Sequence, residues 1–200
     1  MFSNKARWIW VDSTYGKNEY AYFTDKFTFD GGKTLFTVAA ETDYILYING
    51  SQVAFDQFAG YPFEKYYDEI DITPFCKAGE NTVELTVRYE GVNSSTHIDD
   101  GAGVIYSLAI DGETVLFSSC ETFGGYDIRY VQHVERCITV QLGLTSCMRC
   151  GEAVADRRCV EVEKTYVFRP RPVKRCELLP FVEAVEIKDG LYDIGRETVG

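Results

Sequence analysis

Short runs of alternating apolar and polar residues, separated by turn chemistry, dominate this chain. In "NTVELTVRYE" (81–90), Val83, Leu85, Val87 and Tyr89 alternate with Thr82, Glu84, Thr86 and Arg88. Successive strand side chains point to opposite faces, so the first set belongs on a core and the second in water. "YFTDKFTFD" (22–30) and "TLFTVAAET" (34–42) read the same way, and "RCITVQL" (136–142) and "CVEVEKTYVF" (159–168) are further strand candidates. Two hairpins are marked by Asn49-Gly50 within "YILYINGSQVAF" (44–55) and Asp111-Gly112 within "YSLAIDGETVLF" (106–117). Such dipeptides take the positive φ angles of a type I′ turn, whose twist matches that of the flanking strands. "DITPFCKAGEN" (71–81) predicts one helical turn, with Thr73 as cap, Pro74 in the first position and Gly79 past the end. Residues 143–158 leave room for one short helix.

Many short strands with frequent turns predict an all-β protein, an antiparallel β-sandwich with short helical turns. "FRPRPVKRCELLP" (168–180) interrupts the pattern with three prolines and four basic residues. One domain is therefore expected over 1–167. Residues 168–200 are expected to be a linker and the first strands of a following β-domain, with Asp189-Gly190 as a turn and Tyr192–Gly195 and Val199 opening a strand.

Composition narrows the function classes. Two hundred residues can bury a sizeable sandwich core, and 14 Tyr, 13 Phe and 2 Trp suit pleated surfaces. The net charge of -11 excludes the clustered basic surface that nucleic-acid binding needs and opposes anionic membranes. An uncharged partner such as carbohydrate fits better. The N-terminus lacks the apolar core of a secretory signal, and no run approaches the ~18 apolar residues of a membrane helix. With seven cysteines, an odd count, reduced thiols and a cytoplasmic location are expected.

Candidate chemistry is sparse. "CMRC" (147–150) has Cys137 and Cys159 nearby, but a zinc site needs a second ligand pair, and neither His97 nor His133 forms one. Metal and cofactor are thus expected to be absent. No Gly-x-Ser-x-Gly elbow marks a nucleophile, and "GAG" (101–103) precedes a strand rather than the helix a phosphate loop would open. Asp99-Asp100 and Asp68-Glu69 are adjacent pairs whose side chains diverge on a strand, so neither forms an acid pair by spacing. "NSS" (93–95) has the N-glycosylation pattern, which a cytosolic chain would not use. The aromatic runs "RWIW" and "YPFEKYYDE" (61–69) are more suggestive, because flat rings stack on sugar C–H faces while neighbouring carboxylates accept hydroxyl protons. Trp10, Tyr61 and Tyr66 are the candidate sugar contacts and Asp68 the candidate hydroxyl acceptor. The competing reading is that these rings pack the ends of the sandwich.

Several stretches together resemble the N-terminal region of the bacterial α-L-rhamnosidase family (glycoside hydrolase family 78-like). They are "RWIWVDS", "NEYAYFTDKFTF", "AAETDYILYINGSQVAFDQF" and "YYDEIDITPFCKAGENTVELTVRYEG", with a closing "YDIGRETVG". The matching positions are Tyr44, Leu46, Tyr47, Asn49, Gly50, Tyr67, Asp68, Asp71, Ile72, Thr73, Gly79, Glu80 and Asn81; Phe75-Cys76 departs from the family's aliphatic pair. The resemblance implies a jelly-roll, galactose-binding-like module at the front of a multidomain glycosidase. In that family, two glutamates on an α/α-barrel far downstream carry out inverting hydrolysis. No catalytic residue is therefore expected here, and the partners expected are the remaining domains of the parent enzyme and carbohydrate. An apolar C-terminal tail left without those domains is expected to self-associate. An independent lectin-like module and a purely structural docking domain are the alternative functions.

Overall fold

The computed structural model describes residues 1–94, 97–139, 141–180 and 182–195. Ser95 of the Asn-Ser-Ser triplet and residues 196–200, including the expected strand position Val199, lie outside them. The first eight strands are β1 (Ile9–Trp10), β2 (Glu19–Phe29), β3 (Thr34–Ala40), β4 (Asp43–Ile48), β5 (Ser51–Phe55), β6 (Glu64–Asp71), β7 (Gly79–Tyr89) and β8 (Val104–Ile110). Then come β9 (Glu113–Phe117), β10 (Phe123–Tyr126), β11 (Cys137–Thr139), β12 (Gly143–Leu144), β13 (Arg157–Arg158), β14 (Val160–Glu161), β15 (Val167–Pro170), β16 (Val185–Lys188) and β17 (Leu191–Asp193).

Two sheets form the sandwich. One has the order β14-β1-β8-β3-β6-β15, with β9 also on β8; the other runs β13-β10-β2-β7-β4-β5. Pairing is antiparallel except that β15 lies parallel to β6. The longest pair, β2 with β7, runs in register from Glu19 opposite Tyr89 to Phe29 opposite Gly79. As the alternation predicts, Val83, Leu85, Val87 and Tyr89 are buried, beside Trp10, Phe23, Phe36, Leu46 and Leu108 from both sheets. Two core rings have partners for their polar atoms: Tyr106 Oη donates to Asp25 Oδ2 at 2.7 Å, and Trp10 Nε1 to Glu19 Oε2 at 3.2 Å.

Both expected hairpins are present. Asn49 and Gly50 have φ of 51° and 78°, and Asp111 and Gly112 have 48° and 86°. The Asn49-Gly50 turn is also tied sideways. Asn49 Nδ2 donates to Asn81 Oδ1 at 2.8 Å and to Phe75 O at 3.0 Å, while Asn81 Nδ2 donates to Lys77 O and Gly79 O at 2.7 and 2.9 Å. Asn81 is fully buried. Asn49 and Asn81 therefore hold the turn together.

Several expectations are corrected. The turn at 73–75 is a 3₁₀ turn (Thr73–Phe75) with Pro at its start, but it has no side-chain cap. Thr73 Oγ1 instead accepts from Thr34 N at 2.8 Å. Residues 143–158 contain no helix, because no apolar face repeats there for a helix to bury. The candidate strand 159–168 is broken into β14 and β15. An extended "RWIW" run would put Trp8 and Trp10 on one face, but Trp10 is in the inter-sheet core, whereas Trp8 joins Ala6, Ala39 and Ile105 in a second cluster with Tyr166 and Phe168. The segment 61–69 has the proline and crowded aromatics of a loop, but it is mostly β6. Its alternation is hidden because two of its buried positions are Lys65 and Asp68.

Residue 167, after which the linker is expected to begin, is the first residue of β15. β15 pairs Val167–Pro170 with Glu64–Tyr67, and Arg171 follows with Nε 2.6 Å from Asp68 Oδ1 and Nη2 3.2 Å from Oδ2. Tyr44 Oη donates to the same Oδ2 at 2.6 Å. These two charged side chains are 8% and 2% exposed, so removing one leaves the other buried and unpaired. Arg171→Ala is expected to lower stability in urea by about 3 kcal/mol. Adding Asp68→Asn to it should cost less than the sum of the single changes; additive losses would show that the pair is not coupled.

Candidate functional site

The ends of β3, β5 and β7 and the starts of β4, β6 and β8 lie at one end of the sandwich, so their connections meet there. Gln57 organises this end from a buried position: its Oε1 accepts from Ala40 N at 2.8 Å, and its Nε2 donates to Phe58 O and Tyr66 O at 3.0 and 2.8 Å. The β5–β6 connection then closes through reciprocal backbone hydrogen bonds between Tyr61 and Glu64 at 2.8 and 3.1 Å. Gly60 is required at this point, since a Cβ there would sit 2.7 Å from Glu64 O. The resulting loop displays aromatic rings. Phe58 meets Tyr66 edge-on at 5.0 Å, and Tyr61 stacks on Phe63 at 5.6 Å with 54% of Tyr61 exposed.

Beneath the loop lies a buried ionic cluster. Lys65 Nζ is 2.9 Å from Glu41 Oε2, with the two side chains 4% and 1% exposed. Lys164 Nζ lies 3.7 Å from the same oxygen and donates to Gly101 O at 2.6 Å and to Asp100 O. Asp100 N donates to Glu41 Oε1 at 3.0 Å, and Tyr166 Oη donates to Asp100 Oδ2. Burial lowers the Lys164 pKa against the pull of Glu41 and Asp100, and burial together with the Asp100 bond holds the Tyr166 hydroxyl protonated. The cluster ties Asp100 and Gly101, which follow His97 closely in sequence, to the sheet.

His97 lines two clefts that share it and Ala59. One, of about 450 Å³, is walled by Phe58, Tyr61, Tyr66 and Ile98; the other, of about 230 Å³, by Asp43, Asp56, Arg88 and Glu90. The His97 side chain is only 10% exposed, and its Nε2 has no hydrogen-bond partner among the described residues; Glu41 Oε1 is 4.0 Å away. Burial pushes its pKa below the ordinary value, with Lys65 adding to the shift and Glu41, Glu90 and Asp99 opposing it. Among the described residues, Glu41, His97 and Asp99 converge to within 4.8 Å, in the manner of metal ligands. The ammonium groups of Lys65 and Lys164 beside Glu41 oppose a cation there. Cys159 is in the core, its thiol pushed up to about 12 by burial, and Cys147 and Cys150 are exposed.

Of the four sequence candidates, Tyr61 and Tyr66 come together on the larger cleft. Trp10 is fully buried between the sheets and offers no surface to a ligand. Asp68 has both oxygens engaged by Arg171 and Tyr44, which leaves it a structural anion rather than a free hydroxyl acceptor. Glu41, Gln57, Phe58 and His97 were not legible as site residues. The one available signal was the long connection between two confident strands, which carries His97.

No protein-family model matches the chain, and a search of curated proteins finds no match. Solved structures do match. Over 86% of this chain, the glycoside hydrolase family 78 rhamnosidase of Bacillus sp. GL1 superposes with a TM-score of 0.76 at 21% identity, across 20% of that enzyme's chain. The α-L-rhamnosidase from Dictyoglumus thermophilum gives 0.57 at 13% identity, over 83% of this chain and 22% of that one. The Aspergillus terreus enzyme gives 0.52 at 18% identity, over 64% and 17%. The chain thus has the fold of a β-sandwich found within α-L-rhamnosidases, as its sequence resemblance implied, and spans about a fifth of their length.

Because the folded-state pKa of His97 is lowered, its contribution to stability is present above the unfolded value of about 6.5 and is lost as pH falls below it. Urea unfolding at about pH 7.5 and about pH 5.5 should therefore show a larger loss for the wild type than for His97→Gln. Equal losses would mean that the imidazole is as readily protonated in the fold as in water.

Proposed function

We propose that this chain is a non-catalytic β-sandwich module of an α-L-rhamnosidase-like glycoside hydrolase. In this reading it supports the catalytic domain and contacts carbohydrate through the cleft lined by Tyr61 and Tyr66. The observation that carries the reading is the superposition of 86% of the chain on a fifth of a rhamnosidase. The charges of the cleft agree with a binding role. Glycosidic cleavage uses two carboxyl groups free to face one bond, whereas here Glu41 is held by Lys65, Asp43 and Glu90 flank Arg88 at 3.7 and 3.6 Å, and Asp56 lies 3.5 Å from Arg171.

The remaining domains of such an enzyme are the proposed partners of the C-terminal segment. Leu179, Val185, Ile187 and Leu191 there are each more than half exposed, and without a covering domain this surface is proposed to pair with a second copy. All seven cysteines are free, in keeping with a cytoplasmic location. No helix among the described residues is long and apolar enough to cross a membrane. An independent lectin-like role is the second reading, which the exposed Tyr61 ring on the larger cleft supports.

The direct test is incubation of the purified chain with p-nitrophenyl α-L-rhamnopyranoside. No nitrophenol above the buffer rate is expected. Release that follows the protein through purification would overturn the non-catalytic assignment.

A further inference from the structure

Five carboxylates are almost wholly buried among the described residues: Glu19, Glu41, Asp68, Glu90 and Asp127. Four of them have a permanent cation at ion-pair distance. Lys65 serves Glu41 at 2.9 Å, Arg171 serves Asp68 at 2.6 Å, Arg129 serves Asp127 at 2.7 Å and Arg88 serves Glu90 at 3.6 Å. Glu19 is the exception. Its oxygens accept from two neutral donors, Gly16 N and Trp10 Nε1. Its one ion-pair partner among the described residues is His133, whose Nε2 lies 3.9 Å from Glu19 Oε1.

The imidazole is held in a fixed pose. His133 Nδ1 is 3.1 Å from Lys17 O, and a carbonyl only accepts, so Nδ1 carries the proton of the neutral ring. That leaves a lone pair on Nε2, beside a carboxylate, and a second proton turns it into a charged donor. The ring sits flush on Gly16, where a Cβ would come within 2.9 Å of it, and His133 takes a φ of 60°, which few side chains adopt. The segment that carries it straps the start of β2. His133 N donates to Asn18 O at 3.0 Å, Tyr20 N to Gln132 Oε1 at 2.7 Å and Asn18 Nδ2 to Val134 O at 2.9 Å, while Tyr130 stacks on Tyr20 at 4.1 Å. Lys17 and Glu135 are the other charged residues where the two segments meet. Neither pairs with the ring among the described residues, so Glu19 is the charge it answers to.

We propose that His133 and Glu19 form a proton-operated clasp, which holds the 130–134 strap on the β1–β2 connection more firmly in acid than at neutral pH. The imidazole is 57% exposed and solvent protons reach it, whereas the carboxylate is 3% exposed and gains the cation it otherwise lacks. The clasp's contribution is full below the ordinary imidazole range and is lost as pH rises through it. This sense is opposite to that of His97, so variants separate the two.

An NMR titration of the full chain from about pH 5 to about pH 8 reads the clasp through Trp10, whose indole N–H bonds to Glu19. The Trp10 indole proton should shift with the same midpoint as the His133 ring, keep that step in His97→Gln and lose it in His133→Gln. Urea unfolding gives the second readout. The margin by which the wild type exceeds His133→Gln should be wider at about pH 5.5 than at about pH 7.5, and the widening should disappear in a Glu19→Gln background. Any backbone strain from the substitution is common to both pH values and cancels. Because His133 is more than half exposed, the comparison with His133→Gln survives even if Glu19→Gln fails to fold. A Trp10 step that persists without His133, the lack of any step, or a margin that does not change with pH would each overturn the clasp.

Discussion

Lys65 and Asp68 lie three residues apart on β6, and both are almost entirely removed from water. A charge in that position needs an opposite charge at contact distance, because the desolvation cost is otherwise several kcal/mol. The partners come from opposite directions along the chain. Glu41 arrives from the end of β3 and Arg171 from just past β15. Much of the architecture at this edge follows from meeting these two demands. The chain returns after its polar middle section, lays β15 parallel to β6, and brings Lys164 and Tyr166 over the outer face of the sheet.

This constraint links fold to surface. The apolar faces of the two sheets would bury one another with or without the ionic cluster, since Val83, Leu85, Val87 and their counterparts across the sandwich supply the hydrophobic driving force. The cluster decides where the connections go. Glu41 takes an amide from Asp100 and ammonium groups from Lys65 and Lys164, so the β3–β4 and β7–β8 connections are fixed relative to each other. Gln57 performs the same task for the β5–β6 connection with neutral hydrogen bonds.

The parts legible in the sequence were those governed by local rules. Alternation placed β2, β3, β7 and β8, and Asn-Gly and Asp-Gly placed two hairpins, because pleat and turn sterics act over a few residues. β6 was lost for the opposite reason. "EKYYDEID" looks solvent-facing until residues at positions 41 and 171 are known to neutralise its buried charges. Trp10 reads as a possible contact because an aromatic strand looks alike on either face of a sheet, and the fold places it between the sheets. His97 stood in a connection with no periodicity, and its importance depends on packing against Glu41, which lies 56 positions earlier in the sequence (97 minus 41). Tyr61 and Tyr66 could be named because ring chemistry is visible in composition, although their pairing on one cleft is a product of the Gly60 turn.

The most direct measurement of the central claim is a map of amide chemical-shift changes in isotopically labelled protein as a neutral oligosaccharide is added. The account places the largest changes on the β5–β6 connection around Ala59–Tyr61 and on the β7–β8 connection around His97–Asp100, with the opposite end of the sandwich silent. Changes concentrated instead around the Asn49-Gly50 turn or the β16–β17 hairpin would contradict it.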